Sequence, residues 1–150
     1  MFTSELDHFL FLNKGRKIVF TNGCFDILHK GHVSYLSEAK KLGDLLVVGL
    51  NSDMSVKRLK GNDRPINNEE DRKYVLSNLK SVDFVEIFCE DTPLNLIKKI
   101  MPSILVKGGD WKIDQIVGAK EVIENGGDIF SLNFVDGYSN TSMIQKIQHT

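Results

Sequence analysis

Cysteine, proline and tryptophan are scarce in this chain, at two, three and one among 150 residues. Two cysteines, Cys24 and Cys89, are too few and too far apart for a disulfide framework or a zinc site, so both read as ordinary reduced thiols. Neither sign of charge dominates: 19 basic residues face 20 acidic ones, for a net charge of -1. That balance gives no reason to expect a nucleic-acid or anionic-membrane partner, and any anion site must be local. Long uncharged apolar runs are missing as well. The N-terminus, MFTSELDHFLFLNKGRK, puts acidic residues before its apolar ones; it is expected to be neither a secretory signal nor a membrane span, and a cytoplasmic location is expected. What is present is the composition of a globular protein, 41% hydrophobic and 26% charged, which excludes collagen, coiled coil and disorder. At this length roughly 68–70% of the unfolded chain's surface can be buried without a metal or disulfide staple.

Apolar runs of strand length recur at 17–22 (KIVFTN), 44–51 (DLLVVGLN), 83–88 (DFVEIF), 103–108 (SILVKG) and 128–134 (DIFSLNF). Between them, 32–43, 67–79, 93–100 and 114–127 carry apolar residues three or four apart, and 139–148 closes the chain in the same way. This is the βαβ rhythm. Near-continuous runs such as LLVVGL imply strands buried on both faces, hence a parallel sheet covered by helices and joined by right-handed crossovers. The expected fold is α/β: a single doubly wound, Rossmann-like domain over 1–150 with a five-stranded parallel sheet, and 1–14 as a peripheral N-terminal helix. Gly43, Gly126 and Gly127 suit left-handed helix C-caps, and Pro93 suits a first helical turn after Thr92. Ligands of such a sheet collect beyond the carboxyl ends of the strands, which directs attention to 22–32, 51–66, 107–112 and 136–142.

Four blocks there carry chemistry. The first strand runs into Asn22, Gly23, Cys24, Phe25, Asp26, Ile27, Leu28, His29, Lys30, Gly31 and His32 just before a helix. Helix-start amides and two imidazoles three residues apart can converge on a polyphosphate, with Gly31 allowing close approach. A pair of ordinary core or surface histidines, or half of a metal site, has the same spacing. Lys57, Arg58, Lys60 and Arg64, followed by Pro65, group four cations in a loop after the second strand. They either neutralise phosphate or form a solvated run. Arg72 is a fifth cation, or a partner for Glu69 within its own helix. Lys107, Gly108, Gly109, Asp110 and Trp111 end the fourth strand, where paired glycines suit a backbone close to a base or sugar, or an ordinary turn. Gly137, Tyr138, Ser139, Asn140, Thr141 and Ser142 open the last helix, as phosphate donors or as an N-cap at Ser139.

The first block resembles the G-x-F-D-x-x-H-x-G-H signature of the HxGH nucleotidyltransferase superfamily, found in cytidylyltransferases and related adenylyltransferases. From about residue 12 to 148, the phrases FTNGCFDILHKGH, LNSDMSVKRLKGNDRPI, VDFVEIFCEDTP, ILVKGGDW and GYSNTSMIQKI are similar to the heptose 1-phosphate adenylyltransferase branch. In its common bacterial form that branch is fused behind a ribokinase-type sugar kinase. The resemblance implies AMP transfer from ATP to D-glycero-D-manno-heptose 1-phosphate, giving ADP-heptose for surface-glycan synthesis and pyrophosphate, with Mg²⁺ assisting and no covalent intermediate. It also implies a stand-alone form, a separate kinase supplying the sugar phosphate, and a homodimer.

By the same resemblance His29 and His32 stabilise the triphosphate, with Lys57 and Arg58 as catalytic cations. Asn22, Gly23, Cys24, Phe25, Asp26, Gly31, Lys107, Gly108, Gly109, Asp110, Tyr138, Ser139, Asn140 and Thr141 would bind the nucleotide. Lys60, Arg64, Pro65 and Trp111 would bind the acceptor, and no residue is assigned as a metal ligand. Two departures stand out: Asn140 replaces a usual hydroxyl, and Phe134 replaces the arginine that cytidylyltransferases carry five residues before the serine, against CTP. Another HxGH transferase, such as a glycerol-phosphate cytidylyltransferase, and a non-catalytic nucleotide-binding module are the alternatives. A dehydrogenase is disfavoured because the first turn lacks G-x-G-x-x-G.

Overall fold

Successive residues of each central strand bury themselves in opposite helix layers, and this period-two alternation organises the molecule. The computed structural model describes residues 4–133 and 139–148, apart from the side chains of 140–143. Its elements run α1 (Glu5–Leu12), β1 (Ile18–Gly23), α2 (Lys30–Lys40), β2 (Leu45–Asn51), α3 (Asp53–Lys60), α4 (Glu69–Ser77), β3 (Phe84–Phe88), α5 (Leu94–Ile100), β4 (Ile104–Gly108), a 3₁₀ turn (Ile113–Gln115), α6 (Ala119–Glu124), β5 (Asp128–Leu132) and α7 (Asn140–Gln148). Ile18, Phe20, Leu45, Val47 and Leu105 face the layer of α1, α5 and α6. Val19, Leu46, Val48, Leu50, Ile104 and Val106 face α2 and α4. Burial on both sides is why these strands read as continuous apolar runs.

All five strands are parallel, in the order β3-β2-β1-β4-β5. β1 pairs with β2 from Ile18↔Leu45 to Gly23↔Leu50, and with β4 at Val19↔Ile104 and Phe20↔Leu105. The chain therefore winds outward through β2 and β3, returns to the centre and winds out the other way through β4 and β5. The reversal lies between β1 and β4, and their carboxyl ends open a crevice.

The expected sheet is observed, and several local expectations are corrected. Residues 53–60 form α3 instead of a loop: the Ser52 side chain accepts from the Ser55 amide and caps the helix. Gly43 is not a left-handed cap, since Lys41, in a right-handed conformation, is the C-cap of α2 and Gly43 has no positive φ. A Cβ at Gly43 would lie 2.7 Å from Val19 Cγ2 and 2.8 Å from the Lys17 carbonyl oxygen, so close approach requires this glycine. Gly126 is left-handed at φ 85, but Gly127 is not. Pro93 occupies the N-cap of α5 rather than its first turn. The segment 114–127 divides at Gly118, where φ is +86 and a Cβ would meet Ile97 Cδ1 at 2.6 Å.

Helix α1 lies on the outside but is tied to the core. Its Leu6 is 2% exposed, Phe9 packs on Phe84 at 4.8 Å, and Asp7 pairs with Lys99 at 3.2 Å. Among the described residues no helix is long and apolar enough to cross a membrane.

Candidate active site

Where β1 and β4 part, their ends supply Asn22, Gly23 and Cys24 from one side and Lys107 from the other, and Lys60 reaches in from the last turn of α3. These five residues are common to two adjoining lobes. The first, about 180 Å³, adds Phe25, His32, Tyr35 and Gly108. The second, about 380 Å³, adds Asn51, Asp91, Thr92 and Pro93 with an apolar floor that includes Leu105 and Ile116.

The first lobe is built around the start of α2. His29 is the N-cap, and its Nδ1 accepts from the Gly31 amide at 3.1 Å. An accepting Nδ1 leaves the imidazole proton on Nε2. One helical turn later, His32 stacks on His29 with ring centroids 3.9 Å apart and planes 19° apart. Phe25 meets the His32 ring edge-on at 5.2 Å. Phe25 itself has φ 46, unusual for a bulky residue, and a Cβ on Gly23 would stand 2.8 Å from its ring. The motif glycine therefore makes room for the Phe25 turn.

Burial lowers the pKa of His29. Burial, the neighbouring His29 and the Lys60 ammonium push His32 down to about 4, against a smaller opposing effect of the Ile27 backbone. Both rings are thus neutral donors at physiological pH, and His32 Nδ1 is buried without a hydrogen-bond partner among the described residues. Beneath them the Tyr35 hydroxyl and Thr21 Oγ1 share a hydrogen bond of 2.6 Å, and burial pushes Tyr35 up to about 12. The Cys24 thiol is raised by burial, more than Lys60 and Arg72 lower it. It stays protonated and is not a nucleophile.

Two charged residues of the motif region hold the loops in place. Arg72 is 2% exposed. Its guanidinium donates to the carbonyls of Cys24 at 2.8 Å, Asn51 at 2.7 Å and Asn67 at 2.9 Å, and to Asp53 Oδ1 at 2.8 Å. It is neither a phosphate cation nor a partner of Glu69, whose Oε1 accepts from the Asp53 amide. Asp26, expected to bind nucleotide, accepts from the amides of Ile66 and Asn67 at 2.9–3.0 Å. Its carboxylate is therefore occupied in pinning the 64–67 segment. Arg64, expected to bind the acceptor, lies against it, with Nε 3.9 Å from Asp26 Oδ2 and a side chain only 14% exposed. Pro65 belongs to this pinned segment and lines neither lobe.

Of the other expected residues, Lys57 is exposed and lines neither lobe. Arg58 turns to Asp91 Oδ1 at 2.8 Å and to the Cys89 carbonyl. Trp111 is 45% exposed, donates Nε1 to the Gly108 carbonyl at 2.9 Å and has Lys107 Nζ 5.2 Å from its ring centroid. It borders a separate shallow groove along α6; Gly109, which is left-handed at φ 95, and exposed Asp110 line neither lobe. Ser139 is exposed just ahead of α7. Phe134, Gly137 and Tyr138 lie outside the described residues, as do the side chains of Asn140 and Thr141. Asn51, Tyr35, Asp91, Thr92 and Ile116 were not anticipated. Asn51 ends β2 and falls in the 51–66 stretch to which the rule of strand carboxyl ends directs attention, though it was not named individually, and Thr92 follows β3, where the same rule would have found it.

A family model described as cytidylyltransferase-like matches residues 20–146. The chain belongs to this cytidylyltransferase-like family. Curated relatives include the bifunctional protein HldE of Haemophilus ducreyi, 61% identical over 91% of this chain and 29% of that protein, and HldE of Haemophilus influenzae (strain PittGG), 61% identical over 90% and 28%. The chain thus spans less than a third of the length of these relatives. Among solved structures, the lipopolysaccharide core biosynthesis protein of Thermoplasma volcanium is 34% identical with a TM-score of 0.66, over 83% of this chain and 100% of that one. Pantothenate synthetase of Thermus thermophilus shares the fold alone, at 15% identity and a TM-score of 0.57, over 89% and 61%. The family assignment agrees with the motif read from the sequence, and its matched span includes both lobes of the cleft.

Proposed function

We propose that this cytidylyltransferase-like chain transfers AMP from ATP to D-glycero-D-manno-heptose 1-phosphate, releasing pyrophosphate and forming ADP-heptose. The observation that carries the reading is the neutral, stacked His29–His32 pair at the start of α2, of which His32 lines the first lobe of a crevice whose two lobes share Lys60 and Lys107. The first lobe takes the triphosphate and the second takes the acceptor. The sugar-phosphate oxygen attacks the α-phosphorus in line, and negative charge moves onto the departing pyrophosphate. His29, through Nε2–H, and His32 donate to those oxygens, while Lys60 and Lys107, standing between the lobes, neutralise phosphates of both substrates. Neutral imidazoles serve as donors here because desolvation keeps them uncharged before the nucleotide arrives.

The choice of a heptose phosphate is supported by the 61% identity to HldE proteins, by the lipopolysaccharide core protein among the structural relatives and by the motif resemblance. Among the described residues no group of three or more histidine, cysteine or carboxylate side chains stands together as a metal site. The resemblance supplies Mg²⁺, which enters this proposal as part of the substrate, MgATP. A kinase activity upstream supplies the sugar phosphate, and the homodimer implied by the family resemblance belongs to the same proposal.

The test is pyrophosphate release from purified protein with MgATP, with and without the heptose 1-phosphate, and with MgCTP in parallel. Release that needs ATP and the sugar phosphate together is expected. Release only with CTP and a polyol phosphate would transfer the protein to a cytidylyltransferase function, and nucleotide binding without turnover would make it a binding module.

A further inference from the structure

One wall of the second lobe belongs to no strand or helix. It is the turn 89–93 between β3 and α5, which contributes Asp91, Thr92 and Pro93 to the lining. Its own ends hold it weakly: α5 starts at Leu94 without a side-chain cap, and Glu90 and Asp91 are exposed. The turn is gripped instead from α3. Arg58 Nε donates to Asp91 Oδ1 at 2.8 Å, and Nη2 of the same guanidinium donates to the Cys89 carbonyl. One turn earlier, Ser55 Oγ donates to the Glu90 carbonyl at 3.4 Å and accepts from Asn51 Nδ2 at 2.8 Å. A planar fork that spans a carboxylate and a carbonyl two residues apart fixes the orientation of a turn as well as its position.

We propose that Arg58 is a positioning residue for the acceptor: by clasping Asp91 and Cys89 it sets the width of the second lobe and so selects the sugar phosphate. This inference rests on the adenylyl-transfer reading of the cleft. The lobe framed in this way has a cationic end at Lys60 and Lys107 and a hydrogen-bonding end at Asn51, Asp91 and Thr92. Such a polarity matches a polyhydroxy body carrying one phosphate. Arg58 acts on that body through the turn, because its Nε and one terminal nitrogen are already committed to it.

The experiment is a double-mutant cycle of Arg58→Ala and Asp91→Ala in the full chain, with steady-state kinetics for both substrates and hydrogen exchange of the 89–92 amides of the turn. Each single variant is expected to raise the acceptor KM about three- to fivefold, the size that one exposed ion pair can supply. The KM for ATP should not change, the double variant should be no worse than the worse single, and Arg58→Lys should restore part of the loss. Exchange at 89–92 should quicken while that of the sheet does not. A direct phosphate contact predicts the opposite for Asp91→Ala, which would release Arg58 and lower the acceptor KM. That result, additive effects in the double variant, or an equal rise in the ATP KM would overturn the clasp. If the wild type turns over no substrate pair, the adenylyl-transfer reading falls, and the exchange data alone decide: unchanged exchange at 89–92 in both variants refutes the clasp, and faster exchange upholds it.

Discussion

Replacing Arg72 by methionine separates a structural cation from a substrate-binding one. The guanidinium is buried and makes four hydrogen bonds, three of them to main-chain carbonyls and one to Asp53. Methionine recovers some apolar packing and none of the bonds. Breaking a buried ion pair costs about 3–5 kcal/mol, and a stranded buried acceptor about 1–3 kcal/mol. The Asp53 side chain is 31% exposed, so water re-solvates part of it, which brings the expected loss to the lower end, about 3 kcal/mol. For a domain of this size each kcal/mol moves Tm by about 2–4 °C. The expected fall is therefore about 6–12 °C by calorimetry without ligand, with a lower urea midpoint and an unchanged slope. Arg72→Lys should recover less than half, since one ammonium cannot reach all four acceptors. A fall of less than about 2 °C combined with a raised KM for ATP would refute the reasoning and return Arg72 to the phosphates.

His32→Ala should lower the rate of pyrophosphate release by about 10²–10³, the usual effect of one transition-state donor; an unchanged rate would remove His32 from the site. The same residue gives a pH dependence. Its folded-state pKa is depressed from 6.5 to about 4, so the unfolded chain takes up the proton first, and stability is lost as pH falls through that window. Thermal melts of wild type and His32→Gln should diverge below the ordinary imidazole value, with the wild type losing more; parallel curves would contradict the burial of His32. Gly118→Ala should cost about 2–3 kcal/mol, from a left-handed backbone and a Cβ that collides with Ile97. Gly15→Ala has a similar φ of +84 with nothing within 4 Å and should cost only about 1 kcal/mol, so equal denaturation midpoints for the two would overturn the packing explanation.

The central strands were legible because burial on both faces leaves a run of apolar residues that needs no tertiary information to recognise. The β1–α2 block was legible because its chemistry is local, with His29, Gly31 and His32 all within one helical turn. Helix α3 was not legible. Among its eight residues only Ser55 and Val56 are buried, and its basic side chains suggested a solvated run. The partners of Asp26 and Arg72 were not legible for a shared reason: each serves main-chain groups about 20–48 positions away in sequence, and such partners are known only once the strand order is known. The make-up of the second lobe was hidden on the same grounds: Asn51 and Thr92 follow the neighbouring strands β2 and β3, and Ile116 joins them from beyond β4, a juxtaposition known only from the strand order.

Three of the four bonds made by Arg72 end on backbone oxygens, so the clamp is blind to which side chains stand at positions 24, 51 and 67. Cys24 and Asn51 nonetheless face the cleft. Substitution at Cys24 changes what the crevice accepts without touching the clamp, whereas the Asn51 side chain also donates to Ser55 Oγ and belongs to the frame. At Cys24 scaffold and selectivity are thereby written in separate atoms of one residue, which leaves a position where the crevice can be retooled by a single side chain.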